Sequence, residues 1–103
     1  MSGEAAARRE REILDVLLAL GEGEVTTYGD VAATAGHPRQ PRLVGRILAT
    51  THVDLPWWRV VAAGGQLRAG NPGLQAELLR GEGVTVVDFR VRDAPVGRFS
   101  RSG

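Results

Sequence analysis

Apolar residues recur at helical spacing early in the chain. Ile13, Leu14, Leu17 and Leu18 share one face of the stretch Glu4–Leu20, which predicts a first helix stopped by Gly21. Its other face carries Glu4–Arg8, Arg8–Glu12 and Arg11–Asp15 at i,i+4, the pattern of a solvated scaffold helix. Thr27 with Asp30 three residues later matches a capping box and predicts a short helix ending near Gly36. After the turn HPRQ, Pro41 suits the first position of a third helix, Pro41 to Thr50. Leu43, Val44, Ile47 and Leu48 would face inward there, while Arg42, Gly45, Arg46 and Ala49 form an outward stripe of small and cationic residues. Two short helices joined by a tight turn are a helix-turn-helix pattern.

The second half alternates between turn signals and short β patterns. LPWWRVVAAGGQLRAG predicts a hairpin with arms Val60–Val61 and Gln66–Leu67 about a Gly64–Gly65 turn. Asn71 and Pro72 predict the start of a last helix, Pro72 to Arg80, closed by Gly81. Thr85, Val87, Phe89 and Val91 alternate with more polar residues and predict one terminal strand. The ending APVGRFSRSG is rich in Gly, Ser and Arg, so residues 94–103 are expected to be a disordered basic tail, with Arg98 and Arg101 available to phosphates. The expected fold is mainly α: one winged-helix-like domain over residues 1–93, with a helix-turn-helix and a small β-hairpin.

Charge changes this picture more than size does. The first thirty residues carry three Arg against seven acids, whereas residues 31–76 carry Arg39, Arg42, Arg46, Arg59 and Arg68 against Asp54 alone. A basic middle is a candidate phosphate-binding footprint. All 13 basic residues are arginine. No apolar run approaches membrane-spanning length and the first residues lack the apolar core of a signal peptide, so a soluble cytoplasmic, nucleoid-associated monomer is expected. Cysteine is absent, which excludes disulfides, cysteine metal sites and a cysteine nucleophile. His37 and His52 have no partner at metal-ligand spacing, and no Gly-rich phosphate loop occurs. No metal, no cofactor and no turnover chemistry are expected.

The unusual feature is Pro56-Trp57-Trp58-Arg59-Val60-Val61. Neighbouring side chains in an extended segment point opposite ways, so both indoles cannot face one core. One should line a groove, where an aromatic wall suits a flipped base: stacking contributes about 1–3 kcal/mol.

In order, GEVTTYGDVAATAGHP, PRLVGRIL, PWWRVVAAGGQL and LLRGEGV resemble the C-terminal, DNA-binding domain of O6-alkylguanine-DNA alkyltransferases over roughly residues 10 to 85. That family's hallmark is Pro-Cys-His-Arg-Val, in which the cysteine accepts the alkyl group; the matching positions here are Pro56, Trp57, Trp58, Arg59 and Val60. Tryptophan at the cysteine position marks the alkyltransferase-like subfamily. The resemblance implies that Tyr28 helps rotate the target nucleotide and that Arg42 is a finger replacing the flipped base. It also implies that Gly45 and Ala49 keep the recognition helix slim enough for the minor groove. Trp57 would floor a lesion pocket with Val60 beside it, Trp58 replaces the activating histidine, and Arg59 would support the loop. Arg39, Arg46 and Arg68 would reach phosphates or the pocket rim.

Direct dealkylation needs a soft, activated nucleophile, and indole is neither that nor a general base. The expectation is therefore non-enzymatic recognition of O6-alkylguanine in double-stranded DNA by base flipping, flagging the lesion to nucleotide excision repair proteins. Two rivals are a helix-turn-helix regulator of undamaged DNA and an alkyltransferase using another residue. The first would need base-reading side chains where Pro41, Leu43 and Gly45 stand.

Overall fold

Helix α1 spans Ser2–Leu18 in the computed structural model, which describes residues 2–101. Ile13 and Leu17 are fully buried, but Leu18 is 53% exposed. The apolar face is thus narrower than expected: five positions from Ile13 is roughly 140° round the helix, which turns Leu18 to solvent. Helix α2 (Tyr28–Thr34) begins one residue after Thr27. It closes through Gly36 at φ +91°, with Gly36 N–H donating to the Ala33 carbonyl at 3.0 Å and His37 N–H to that of Ala32 at 2.8 Å, a Schellman cap. Helix α3 runs Pro41–Thr50, with proline in its first turn as expected. Packing of α1, α2 and α3 on one another builds the first of two compact units, residues 2–19 with 28–57. Val31, Ala32, Val44, Ile47 and Leu55 are its other buried apolar side chains. The His37 imidazole lies 3.0 Å from the Glu12 carboxylate, tying the α2–α3 turn to α1.

The second unit comprises residues 20–27 and 58–101. Strand β1 (Glu24–Thr27) is the middle of a three-stranded parallel sheet between β2 (Val60–Val61) and β5 (Val96–Gly97). Thr26 pairs with Val60 and Thr27 with Val61 on one side; Glu24 pairs with Val96 and Val25 with Gly97 on the other. Helix α4 (Pro72–Gly81) is capped by the Asn71 side chain, which accepts the Leu74 N–H at 3.1 Å. Strands β3 (Thr85–Val87) and β4 (Arg90–Asp93) form an antiparallel hairpin. Val25, Val61, Leu67, Ala76, Leu79, Val84, Val86, Val91 and Ala94 make one buried cluster, against which Trp58 and Phe99 pack.

The mainly helical character with a small β component agrees with expectation; four details differ. The 60–67 hairpin is a turn whose arms part. Gly65 N–H donates to the Ala62 carbonyl at 2.8 Å, but Val60–Val61 join β1, while Leu67 N–H donates to Phe89 and Val91 N–H to Gly65, each at 2.9 Å. Val60, Val61 and Leu67 are buried and find partners elsewhere, Val60–Val61 on β1 and Leu67 on Phe89, so two-residue pairing loses to the larger sheet. The single terminal strand is instead the β3–β4 hairpin, turned at Asp88 and Phe89 with φ of 51° and 57°. Both are left-handed, the geometry of a two-residue type I′ turn. Helix α4 runs one residue further, through Gly81, and the left-handed residue that caps it is Gly83 (φ +86°), with Val84 N–H reaching the Leu79 carbonyl at 3.1 Å. Of the expected disordered tail, residues 94–101 are folded: β5 pairs with β1, and Arg98 N–H donates to the Val25 carbonyl at 3.2 Å. Residues 102 and 103 lie outside the described residues. Composition misleads there because an open sheet edge supplies the hydrogen bonds that the polar segment lacks internally.

Candidate nucleic-acid interface

Helix α3 divides sharply into two faces. Val44 and Ile47 are buried, while Arg42, Arg46 and Ala49 are exposed and Gly45 is partly so. The ring of Tyr28, half-buried at the start of α2, lies beside the glycine: a methyl placed on Gly45 would stand 3.9 Å from its Cε1. Burial raises the Tyr28 pKa, so the phenol stays protonated and able to donate at neutral pH. Arg39 is exposed in the turn between α2 and α3. The first unit thus carries Tyr28, Arg39, Arg42, Gly45, Arg46 and Ala49 on α2, α3 and their connection. Trp57, partly exposed, belongs to this unit too, with its backbone N–H donating to the Leu55 carbonyl at 2.8 Å.

Trp57–Arg59 form a single 3₁₀ turn. Its last two residues belong to the second unit and are held by Glu82, which follows α4. The Trp58 indole N–H donates to Glu82 Oε2 at 2.9 Å. Arg59 forks onto the same carboxylate, Nε to Oε1 at 2.9 Å and Nη2 to Oε2 at 2.7 Å, and Nη1 donates to the Leu20 carbonyl at 2.8 Å. Gly23 N–H adds a further bond to Oε1 at 2.8 Å. The Arg59 guanidinium carbon also lies 5.2 Å from the centre of the Trp58 ring, within cation–π range. Burial pushes the Glu82 pKa up, but the hydrogen bonds from Arg59, Gly23 and Trp58, with the Arg59 charge, outweigh it and hold the carboxyl at about 2. The hydrogen bond to Glu82 in turn raises the Arg59 pKa.

Gln75, fully buried on α4, grips the same segment from one side. Its Nε2 donates to the carbonyls of Trp58 at 3.2 Å and Val60 at 3.0 Å. Val60 is itself fully buried, so its side chain belongs to the interior, while Arg68 is exposed. Arg59 is hydrogen-bonded to Glu82 and to the Leu20 carbonyl within its unit. Gln75 and Glu82 escaped the sequence reading. Their signal was present: Gln75, Leu79 and Glu82 recur at i, i+4 and i+7, placing two polar residues on an otherwise apolar helix face. Among the described residues no group of three His, Asp or Glu could hold a metal, and no helix is long and apolar enough to cross a membrane.

Residues 8–84 match a model of the 6-O-methylguanine DNA methyltransferase DNA-binding domain. A DNA base-flipping protein of Escherichia coli is 42% identical over 80 residues, covering 74% of this chain and 62% of that protein. The chain therefore spans less than two thirds of that relative's length. The crystal structure of the Schizosaccharomyces pombe alkyltransferase-like protein, in complex with damaged DNA containing O6-carboxymethylguanine, superposes with a TM-score of 0.70 at 26% identity, covering 79% of this chain and 81% of that one. The Mycobacterium tuberculosis O6-methylguanine methyltransferase gives a TM-score of 0.62 at 28% identity, over 71% of this chain and 47% of the enzyme. With matching motifs, a matching fold and no cysteine, this chain belongs to the family of the 6-O-methylguanine DNA methyltransferase DNA-binding domain and is alkyltransferase-like within it.

Proposed function

We propose that this chain binds O6-alkylguanine in duplex DNA without dealkylating it. The exposed face of α3 carries this reading: Arg42, Gly45, Arg46 and Ala49 offer cations and small residues, with the Tyr28 ring against Gly45. Small residues allow close approach of the helix to a narrow minor groove, and arginine suits its negative potential. In this reading Arg42 fills the space of the flipped base, Tyr28 steers the rotating phosphate, and Arg39 and Arg46 hold the backbone. Trp57 is the indole that meets the lesion, because the Trp58 N–H is spent on Glu82 and its ring packs on the second unit's core. An alkylated guanine pairs poorly, so extrusion costs less than for a normal base, and its alkyl group gains about 0.8 kcal/mol per buried methylene.

Catalysis is not part of this function. A chain without cysteine has no thiolate to accept the alkyl group. We read Trp57 as occupying the acceptor position and Trp58 that of the activating base; the latter acts as an N–H donor. The bound lesion, flipped out by a cytoplasmic monomer, would be a mark for nucleotide excision repair.

The test is fluorescence anisotropy with matched duplexes, with and without O6-methylguanine, at fixed stated salt. Clear preference for the modified duplex is expected. Equal affinity would sink lesion recognition and favour a reader of undamaged DNA.

A further inference from the structure

Phe89 is 56% exposed at the tip of the β3–β4 hairpin, and Val87 just before the turn is 46% exposed. A bulky residue at φ 57° is unusual. Turn geometry alone would be met more cheaply by Gly or Asn. Exposed arginines lie on the strands next to this turn. The pairing register jumps from Val86–Val91 to Thr85–Asp93, which makes Arg92 the extra residue of a β-bulge, and it is exposed. Across β4 runs the segment from Gly65, and Arg68, one residue past the Leu67–Phe89 hydrogen bond, is exposed as well. Residues 85–101 carry four arginines against Asp88 and Asp93. Asp93 accepts the Arg101 N–H at 3.3 Å. This segment begins where the family match ends, at residue 84.

The geometry points to a second duplex-contact element: Arg68, Arg92 and Arg101 on backbone phosphates, and Phe89 as an apolar wedge at the groove edge. DNA is the occupant chosen because the arginines of this segment, with exposed Arg68, outnumber its acids, which complements a polyanion. The inference rests on the DNA-binding reading above, but concerns sequence-independent affinity and not lesion preference.

The experiment is a salt titration of binding to modified and unmodified duplexes by the whole chain. Wild type is compared with the triple variant Arg68→Ala, Arg92→Ala, Arg101→Ala, its all-lysine counterpart, and Phe89→Asn, which tolerates the turn. The alanine triple should flatten the slope of log K against log salt by about 2.7, at roughly 0.9 per lost phosphate contact. It should weaken both duplexes by the same factor; the lysine triple should keep the slope. Phe89→Asn should weaken both by about fivefold or more. Circular dichroism melts verify that each variant folds. An alanine triple with wild-type slope and affinity overturns the inference, and so does a loss confined to the modified duplex. Lesion recognition stands or falls separately, on the wild-type ratio between the two duplexes.

Discussion

Trp58 donates its indole N–H to Glu82 at 2.9 Å, on the carboxylate that also takes the fork of Arg59. One acid therefore anchors two consecutive residues directly after Trp57, through the Trp58 indole and the Arg59 guanidinium.

Glu82→Gln should cost about 2–4 kcal/mol in urea denaturation, since it leaves the Arg59 guanidinium partly buried without its counter-charge. The pH dependence has a definite sign. The folded Glu82 pKa, about 2, lies below the usual 4.5, so its contribution is complete above 4.5 and disappears as pH falls towards 2. The wild-type melting temperature should drop across that window, and Glu82→Gln should lack this part of the drop. Parallel curves for the two proteins would refute the assignment.

Gly45→Ala should separate stability from binding. The new methyl finds ordinary contact with Tyr28 at 3.9 Å, and alanine is favoured over glycine within a helix by about 0.8–1 kcal/mol. Thermal melts should show a more stable protein, while anisotropy should show weaker DNA binding because α3 is bulkier. Greater stability with unchanged affinity would remove close helix approach from the mechanism.

Arg42→Ala should lower affinity for the O6-methylguanine duplex by about 2 kcal/mol or more, as base flipping costs a few kcal/mol that the finger offsets. Its exposure predicts a stability change within about 0.5 kcal/mol. Arg39→Ala should instead weaken modified and plain duplexes alike. Unchanged lesion affinity in Arg42→Ala takes that residue out of the finger role.

Trp57→Cys should not restore repair. The new thiol would have Trp58 beside it, whose N–H is occupied by Glu82, so no base activates it. Intact-mass spectrometry after incubation with O6-methylguanine DNA should show unmodified protein. A stoichiometric methyl adduct would show that the acceptor alone was missing.

The helices were legible along the chain because their signals are local. Pro41 and the Val44–Ile47 face mark α3, Asn71-Pro72 marks the start of α4, and each is read within a few residues. The exposed stripe of Arg42, Gly45, Arg46 and Ala49 follows from helical period alone, and the structure leaves its three side-chain-bearing members outside. The pairing of strands was not legible in this way. Val60–Val61 could close on Gln66–Leu67 or on Thr26–Thr27, and only burial in the larger sheet chooses between them.

Trp57 shows the same division. That no thiolate chemistry is available follows from the residues themselves, since a chain lacking cysteine cannot acquire one by folding. Which indole is committed to scaffold does not follow, because Trp57 and Trp58 are chemically identical and adjacent. The carboxylate that tells them apart lies 24 residues beyond Trp58, at the end of α4, and reaches it only when the second unit folds. Composition decides which reactions a site lacks; packing decides which partner each side chain meets.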